Sequence, residues 1–224
     1  MVQKVDPIEV KMWVERLRNS KTDEEAASAA SGLSHLRIRT RGTVRTRGRG
    51  FARAADSDFP LALQQEAMEV ALSALKERGP TVRREVAFAL GQWGDETAAR
   101  VLEGMLVGEK RDDEEDVRLA CIDALRSIAG HAAVRALQSV AEKDASEQVR
   151  YAAIEALAEL ALTEAPAART RGAVRTRGAV VKPKANLSPE AKEVLATLLR
   201  IRDDEKEPEY IRRSARAALT HLEE

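Results

Sequence analysis

The sequence predicts an all-α protein, an α-solenoid of about five antiparallel helix pairs that carries two basic loop inserts. Three observations support this fold class. Four ten-residue stretches align with one another without gaps, and the apolar residues within them recur at helical spacing. Of the 224 residues, 44% are hydrophobic but only 3% are aromatic. A core of Ala, Leu and Val suits closely packed helices, whereas sheets favour β-branched and aromatic residues.

The internal repeat is the strongest of these observations, because a regular period identifies repeat architectures. Each stretch begins with a β-branched residue followed by Arg, and Leu returns at the ninth position. The four are VRREVAFALG (82–91), VRLACIDALR (117–126), VRYAAIEALA (149–158) and IRRSARAALT (211–220). Val149, Ala153, Ala156 and Leu160 show the stripe at i, i+4, i+7 and i+11 that a helix requires and a strand does not. One pair cannot bury such a stripe alone, so neighbouring pairs must stack.

Capping residues place the ends of the helices. Asp6-Pro7 and Ser188-Pro189 combine an N-cap residue with Pro in the first turn, and Pro80 and Asp95 mark two further starts. Glycines close the preceding helices. The predicted pairs are 7–19 with 22–36, 60–78 with 80–93, 95–107 with 114–129, 131–143 with 146–162, and 189–203 with 208–222. The Arg that recurs in each unit is interpreted as structural, bonding to inter-repeat loops or to acids such as Asp116.

A basic decapeptide occurs twice, as RTRGTVRTRG at 39–48 and RTRGAVRTRG at 169–178. Around it, segments 37–55 and 166–187 hold seven and six cations and no acid. Removing these 13 from the 37 Lys and Arg leaves 24 basic against 37 acidic residues. The chain is therefore an acidic body with two basic inserts. Three interpretations remain open for them: neutral insertion into permissive loops, nucleic-acid contact through phosphates, and a small β-ribbon or fold-back onto the acidic body.

The predicted organisation has five parts. They are an N-terminal capping helix pair (1–36), a basic loop insert (37–58), central repeats (59–163), a second basic loop insert (164–187) and a C-terminal repeat (188–224). No stretch reaches the length of an apolar membrane span, and the N-terminus has no apolar signal region. Together with the single cysteine, these features predict a cytoplasmic protein.

The segment VRREVAFALGQWGDETAARVLEGML and the following DEEDVRLACIDALRSIAG resemble HEAT repeats, in the subtype found in phycobilin (phycobilisome) lyases. In that subtype a D-x-x-V-R-x-x-A-x-x-A-L helix alternates with a G-D-x-x-A-x-x-x-L helix. The resemblance implies a phycobilisome-related scaffold that binds a partner protein, such as a phycobiliprotein, on its concave helix layer. Alternatively, it implies a subunit of an E/F-type lyase that works with a second lyase-type subunit. Such enzymes attach or remove a linear tetrapyrrole at a cysteine of a phycobiliprotein.

The residues themselves predict no catalytic group, resident cofactor or metal site; a phycobilin would be a substrate. Cys121 lies in a small-residue column and is predicted to be buried. His35, His131 and His221 are isolated, without the spacing of metal ligands. Exposed aromatics and Arg are typical of binding hot spots. The residues predicted to line a binding groove are Arg84, Glu85, Phe88, Tyr151, Glu155 and Arg213.

Overall fold

A computed structural model describes residues 6–35, 61–93, 95–108, 111–164 and 189–223. Within these ranges ten α-helices follow one another and no strand occurs. They are α1 (Pro7–Asn19), α2 (Asp23–His35), α3 (Leu61–Glu77), α4 (Pro80–Trp93), α5 (Glu96–Leu106), α6 (Glu115–Ile128), α7 (Gly130–Lys143), α8 (Glu147–Glu164), α9 (Pro189–Asp203) and α10 (Glu209–Glu223). Every predicted helix is present, with each end within two residues of its predicted position. The two basic inserts lie outside the described residues, except for Glu164 at the end of α8.

The helices form two compact units, and the boundary between them falls inside α7, after Ala136. In unit 1, α1 pairs with α2, α3 with α4, and α5 with α6. In one layer α3 contacts α1 and α5, and in a second layer α4 contacts α2 and α6. In unit 2, α8 contacts α9 and α10, which pair with each other. This stacking of helix pairs confirms the predicted fold class, an all-α solenoid. None of the described helices combines the length and hydrophobicity needed to cross a bilayer.

The first and ninth positions of the repeat supply much of the core. The β-branched residues at the first position, Val82, Val117, Val149 and Ile211, are at most 1% exposed. Their repeat partners at the ninth position, Leu90, Leu125, Leu157 and Leu219, are also buried. Burial of each such side chain stabilises the fold by about 1.5–3 kcal/mol. The repeated pattern in the sequence is thus the pattern of the core.

In three of the four aligned stretches, the arginine at the second repeat position closes the turn that precedes its own helix; the fourth, Arg212, contacts the Glu209 carboxylate. In those three, the guanidinium donates hydrogen bonds to backbone carbonyls of the turn. The acceptors are Arg78 for Arg83 (2.8 Å), Asp112 and Asp113 for Arg118 (both 2.9 Å), and Asp144 for Arg150 (2.8 Å). These contacts confirm the structural interpretation of the column. However, the bonded turns lie within helix pairs and not between repeats, because an arginine in the first turn of a helix reaches back to the turn just before it.

Two of these arginines also bind an acid in the turn of the next pair. Arg83 forms a bidentate pair with Asp112, with 2.7 Å from Nε to Oδ2 and 2.9 Å from Nη2 to Oδ1. Arg150 contacts Glu207 at 3.0 Å and 3.1 Å. The hydrogen bonding of its guanidinium to the Asp112 carboxylate is the main cause that raises the pKa of Arg83. The acid bound to Arg83 is Asp112, in the turn itself, whereas Asp116 lies on the exposed surface of α6.

Helices α4 and α6 approach each other so closely that residue 91 has no room for a side chain. A Cβ atom at Gly91 would lie 2.7 Å from the Cα of Ala124 and 3.1 Å from its Cβ. Glycine therefore sets the spacing between these two helices, and this spacing fixes how the second helices of neighbouring pairs stack in unit 1.

Ala129 ends α6 with φ 61° and ψ −167°, a backbone region that is nearly exclusive to glycine. We expect Ala129→Gly to raise the free energy of unfolding by about 1 kcal/mol, because the strain at a side chain outweighs the added freedom of the unfolded chain. Urea denaturation measures the change. The same exchange at Ala120, in the middle of α6, should lower the free energy by about 1 kcal/mol or more. A loss of stability in Ala129→Gly would contradict this account of the turn.

Candidate functional site

The six residues predicted to line a groove lie on second helices, three in each unit. Arg84, Glu85 and Phe88 are on α4 in unit 1, whereas Tyr151, Glu155 and Arg213 are on α8 and α10 in unit 2. All are exposed except Glu85, which is half-buried. Only the three residues in unit 2 come together around one cavity.

Helices α8 and α10 flank an open groove of about 610 Å³ in unit 2. Its lining residues are Gln148, Tyr151, Glu155, Tyr210, Arg213, Ser214 and Ala217. The rings of Tyr151 and Tyr210 lie with their centroids 6.3 Å apart and their planes tilted by 41°, an arrangement that favours aromatic pairing. The two side chains are 40% and 47% exposed. The groove thus presents a pair of phenol rings to solvent.

Two hydrogen bonds between hydroxyl and carboxylate groups join the walls of the groove. The hydroxyl of Tyr210 donates to Glu147 Oε2 at 2.7 Å. The hydroxyl of Ser214 donates to Glu155 Oε1, also at 2.7 Å. In both cases the donor lies on α10 and the acceptor on α8. These bonds hold the groove residues in place before any ligand arrives.

Arg213 is the groove residue with a free cation. Its neighbours on α10, Arg212 and Arg216, both contact Glu209, at 2.7 Å and 3.4 Å. Arg213 is exposed and has no hydrogen-bond or ion-pair partner within the described part of the chain. Its guanidinium therefore offers donors for an anionic group of a ligand.

The hydrogen bond to Glu147 raises the pKa of Tyr210 above that of an ordinary phenol, because donation to a carboxylate stabilises the protonated form. The ring of Tyr210 therefore stays neutral at physiological pH. The contribution of this bond to stability is complete below the unfolded-state value of 10.0 and is lost as the pH rises through the folded-state pKa.

We expect Glu147→Gln to lower the pKa of Tyr210 towards 10.0. The chain has only two tyrosines, so ultraviolet titration of tyrosinate resolves the change, and Tyr210→Phe assigns the shifted curve. Titration curves of wild type and Glu147→Gln that superimpose would show that the hydrogen bond does not control this ring.

The face of α4 in unit 1 is a poorer binding surface. Phe88 is 45% exposed, but the charges beside it satisfy each other, because Arg84 Nη2 lies 3.1 Å from Glu85 Oε1. Among its described side chains, this face of α4 therefore offers one exposed ring and no free charge beside it.

A second groove, of about 960 Å³, runs between α1 and α2 in unit 1. Its most exposed apolar residue is Ile8, at 78%. Trp13 lies under the guanidinium of Arg16, which is 5.2 Å from the ring centroid, and its ring occupies the space that a side chain at residue 32 would need. Trp13 is therefore half-buried, whereas the tyrosines of unit 2 are exposed.

The described residues show no catalytic arrangement. The predicted burial of Cys121 is confirmed, and that burial raises the pKa of its thiol far above the ordinary value, so it stays protonated. No group of three or more His, Cys, Asp and Glu side chains in the described ranges has a geometry that could hold a metal ion. The arrangement in unit 2 is suited to binding.

Tyr210 is the groove residue that sequence reasoning missed most clearly. It immediately precedes Ile211, the first position of the fourth stretch, so it lies outside the aligned repeat positions. Tyr151 was predicted because it lies within them, directly after the arginine column. The available signal was composition, because the only two tyrosines of the chain both lie within two residues of a repeat's first position. Gln148, Ser214 and Ala217 carried no comparable signal.

Comparisons with known proteins agree with this architecture. A family model described as HEAT repeats matches residues 68–158 and 109–187. These two matches together span more than half of the 224 residues. No curated protein matches the chain.

Among solved structures, the chain is similar to the crystal structure of an engineered protein determined by the Northeast Structural Genomics Consortium. The two share 16% sequence identity with a TM-score of 0.51, over 95% of this chain and 78% of the other. At that identity the similarity concerns the fold alone. The repeat columns, the stacked helix pairs and the extent of the family match lead to one conclusion: this chain belongs to the HEAT-repeat family.

Proposed function

We propose that the chain is a protein-binding scaffold of the phycobilisome and that it holds a phycobiliprotein partner in the groove between α8 and α10. The observation that carries the binding role is the convergence of two exposed tyrosines and an unpaired arginine on one groove. Tyr and Arg are enriched among the few residues that dominate binding energy at protein interfaces.

Rigidity of the groove supports the same role. Its residues project from two helices, and the bonds Tyr210–Glu147 and Ser214–Glu155 cross between those helices. A side chain that is already fixed loses little conformational entropy when a partner binds. HEAT repeats present such helix faces to other proteins, which fits a scaffold better than an enzyme with an enclosed pocket.

The choice of partner rests on the resemblance of the repeats to those of phycobilin lyases. The residues that carry it include Val82, Arg83, Gly94, Asp95 and Leu102. Val82 and Leu102 are core residues and Arg83 closes a turn, so the motif residues serve the repeat fold.

The test is binding of purified phycobiliproteins, with and without pigment, to the immobilised chain. We expect the wild type to retain a phycobiliprotein, and Tyr151→Ala with Tyr210→Ala to reduce its affinity at least about tenfold, as loss of hot-spot residues does. Phe88→Ala, an exposed aromatic on α4, is the matched control and should bind like the wild type. Circular dichroism verifies that the variants are folded. Equal binding by the wild type and the double variant, or no binding at all, would refute the proposed site or partner respectively.

A second candidate is a subunit of an E/F-type phycobilin lyase. The specific feature in its favour is the combination of two phenol rings with a free guanidinium, since a linear tetrapyrrole has a conjugated ring system and carboxylate side chains. In that chemistry the nucleophilic cysteine belongs to the phycobiliprotein, so a buried Cys121 is no objection. A change in bilin absorbance on mixing with this chain, abolished in Arg213→Gln, would favour this candidate over the scaffold.

A further inference from the structure

We infer that the α8–α10 groove recognises an acidic peptide segment, in which a carboxylate lies about one helical turn from an apolar side chain. This inference rests on the proposed function, because it specifies the chemistry of the partner segment that the same groove holds.

The charge of the ligand follows from what the charged groups at the groove already contact. The carboxylates of Glu147 and Glu155 accept hydrogen bonds from Tyr210 and Ser214. The guanidinium of Arg213 has no such partner among the described residues. A docking partner that covered Arg213 without supplying an anion would leave a desolvated, unpaired charge, which is strongly unfavourable. An acidic side chain from the partner removes that penalty.

The apolar part of the ligand follows from the tyrosine pair. Tyr210 and Arg213 are three residues apart on α10, so they are neighbours on one helix face. The ring of Tyr151 extends the apolar surface beside Tyr210 towards α8. A ligand that places an apolar side chain on the two rings therefore has its carboxylate roughly 5 Å further along α10, over Arg213.

Glu155 on the opposite wall determines the orientation of the ligand. Its carboxylate is exposed and negatively charged, so a second acid on that side of the peptide would be repelled. The pair of Arg213 on α10 and Glu155 on α8 therefore favours one placement of an acidic side chain over the reverse.

The experiment is selection of a random twelve-residue peptide library displayed on phage, against the full chain and against two folded variants. We expect the wild type to enrich peptides with Asp or Glu near Leu, Ile or Phe. Arg213→Gln should lose the acidic preference, and Arg213→Glu should enrich Lys or Arg in its place. For a selected peptide, fluorescence anisotropy should show about tenfold or weaker binding to Arg213→Gln, whereas Glu155→Gln should bind it equally or more tightly.

The outcomes separate this inference from the proposed function. Enriched peptides that need both tyrosines but show no acidic preference would overturn the inference and leave the groove as a protein-binding site. An acidic preference that persists in Arg213→Glu would also overturn it, because the charge would then be recognised elsewhere. A wild-type chain that enriches no peptide would overturn it as well, while phycobiliprotein binding that depends on the tyrosines would still support the scaffold.

Discussion

Asp112→Ala is expected to lower the free energy of unfolding by about 3–4 kcal/mol, because it leaves a largely buried guanidinium without its anion. The side chain of Asp112 is only 5% exposed and accepts two hydrogen bonds from Arg83 and a third from the backbone of Glu114. It therefore joins one helix pair to the turn of the next. The loss is measurable by urea denaturation followed by circular dichroism.

The neighbouring residue provides the control for this prediction. Asp113 is exposed, and its contribution to the turn is a backbone carbonyl that Arg118 binds. Asp113→Ala keeps that carbonyl and should change the free energy of unfolding by no more than about 0.5 kcal/mol. Similar losses in the two variants would mean that acidity of the turn in general, and not the bidentate pair, stabilises the junction.

Gly91→Leu is expected to destabilise unit 1 by about 3 kcal/mol or more, since a side chain at this position meets the backbone of α6. The nearest obstacle is the Cα of Ala124, which cannot rotate away as a flexible side chain could. Even Gly91→Ala should lose stability, although alanine has the higher helix propensity. Thermal denaturation and urea denaturation both report the change.

Gly104 on α5 offers the matched comparison, because a Cβ atom there would meet nothing within 4 Å. Gly104→Ala should therefore gain stability, by up to about 1 kcal/mol, from helix propensity alone. Opposite signs for the two Gly→Ala exchanges are the expected result. A gain at both sites would indicate that α4 and α6 can separate without cost.

The sequence was sufficient to predict most of the helices because one physical requirement recurs in four of the five helix pairs. A β-branched residue at the first position and Leu at the ninth must both be buried in the core. The helical spacing of apolar residues is therefore nearly the same in each of these stretches. The approach of α4 to α6 was not predictable in this way. Gly91 is at the tenth position of its stretch, where the other three stretches have Arg126, Ala158 and Thr220. The sequence does not show which neighbouring helix leaves no room for a side chain at this position.

The site was predictable only in part. The sequence of one helix indicates which of its residues are exposed, but a groove depends on how two helices pack together. Arg84, Tyr151 and Arg213 occupy the same third position of their repeats, and all three are exposed. Of these three residues, only Tyr151 has an aromatic partner, Tyr210. That residue immediately precedes the first repeat position of α10, and its contact with Tyr151 depends on how α8 and α10 are aligned. The acid that binds Arg83 was also not predictable from the sequence. The run RDDEED contains five acids, and the conformation of the turn determines that Asp112 is the one that contacts Arg83.

The arginine bonds to backbone carbonyls have a consequence for how this chain could have grown. The bonded carbonyl lies five or six residues before its arginine in each case, so extra sequence between the two would break the closure. Both RTRG segments instead lie in the connections between successive helix pairs, one between α2 and α3 and the other between α8 and α9. Insertions are therefore tolerated in the loops between helix pairs. The same loops are suitable sites for inserting a tag or another domain.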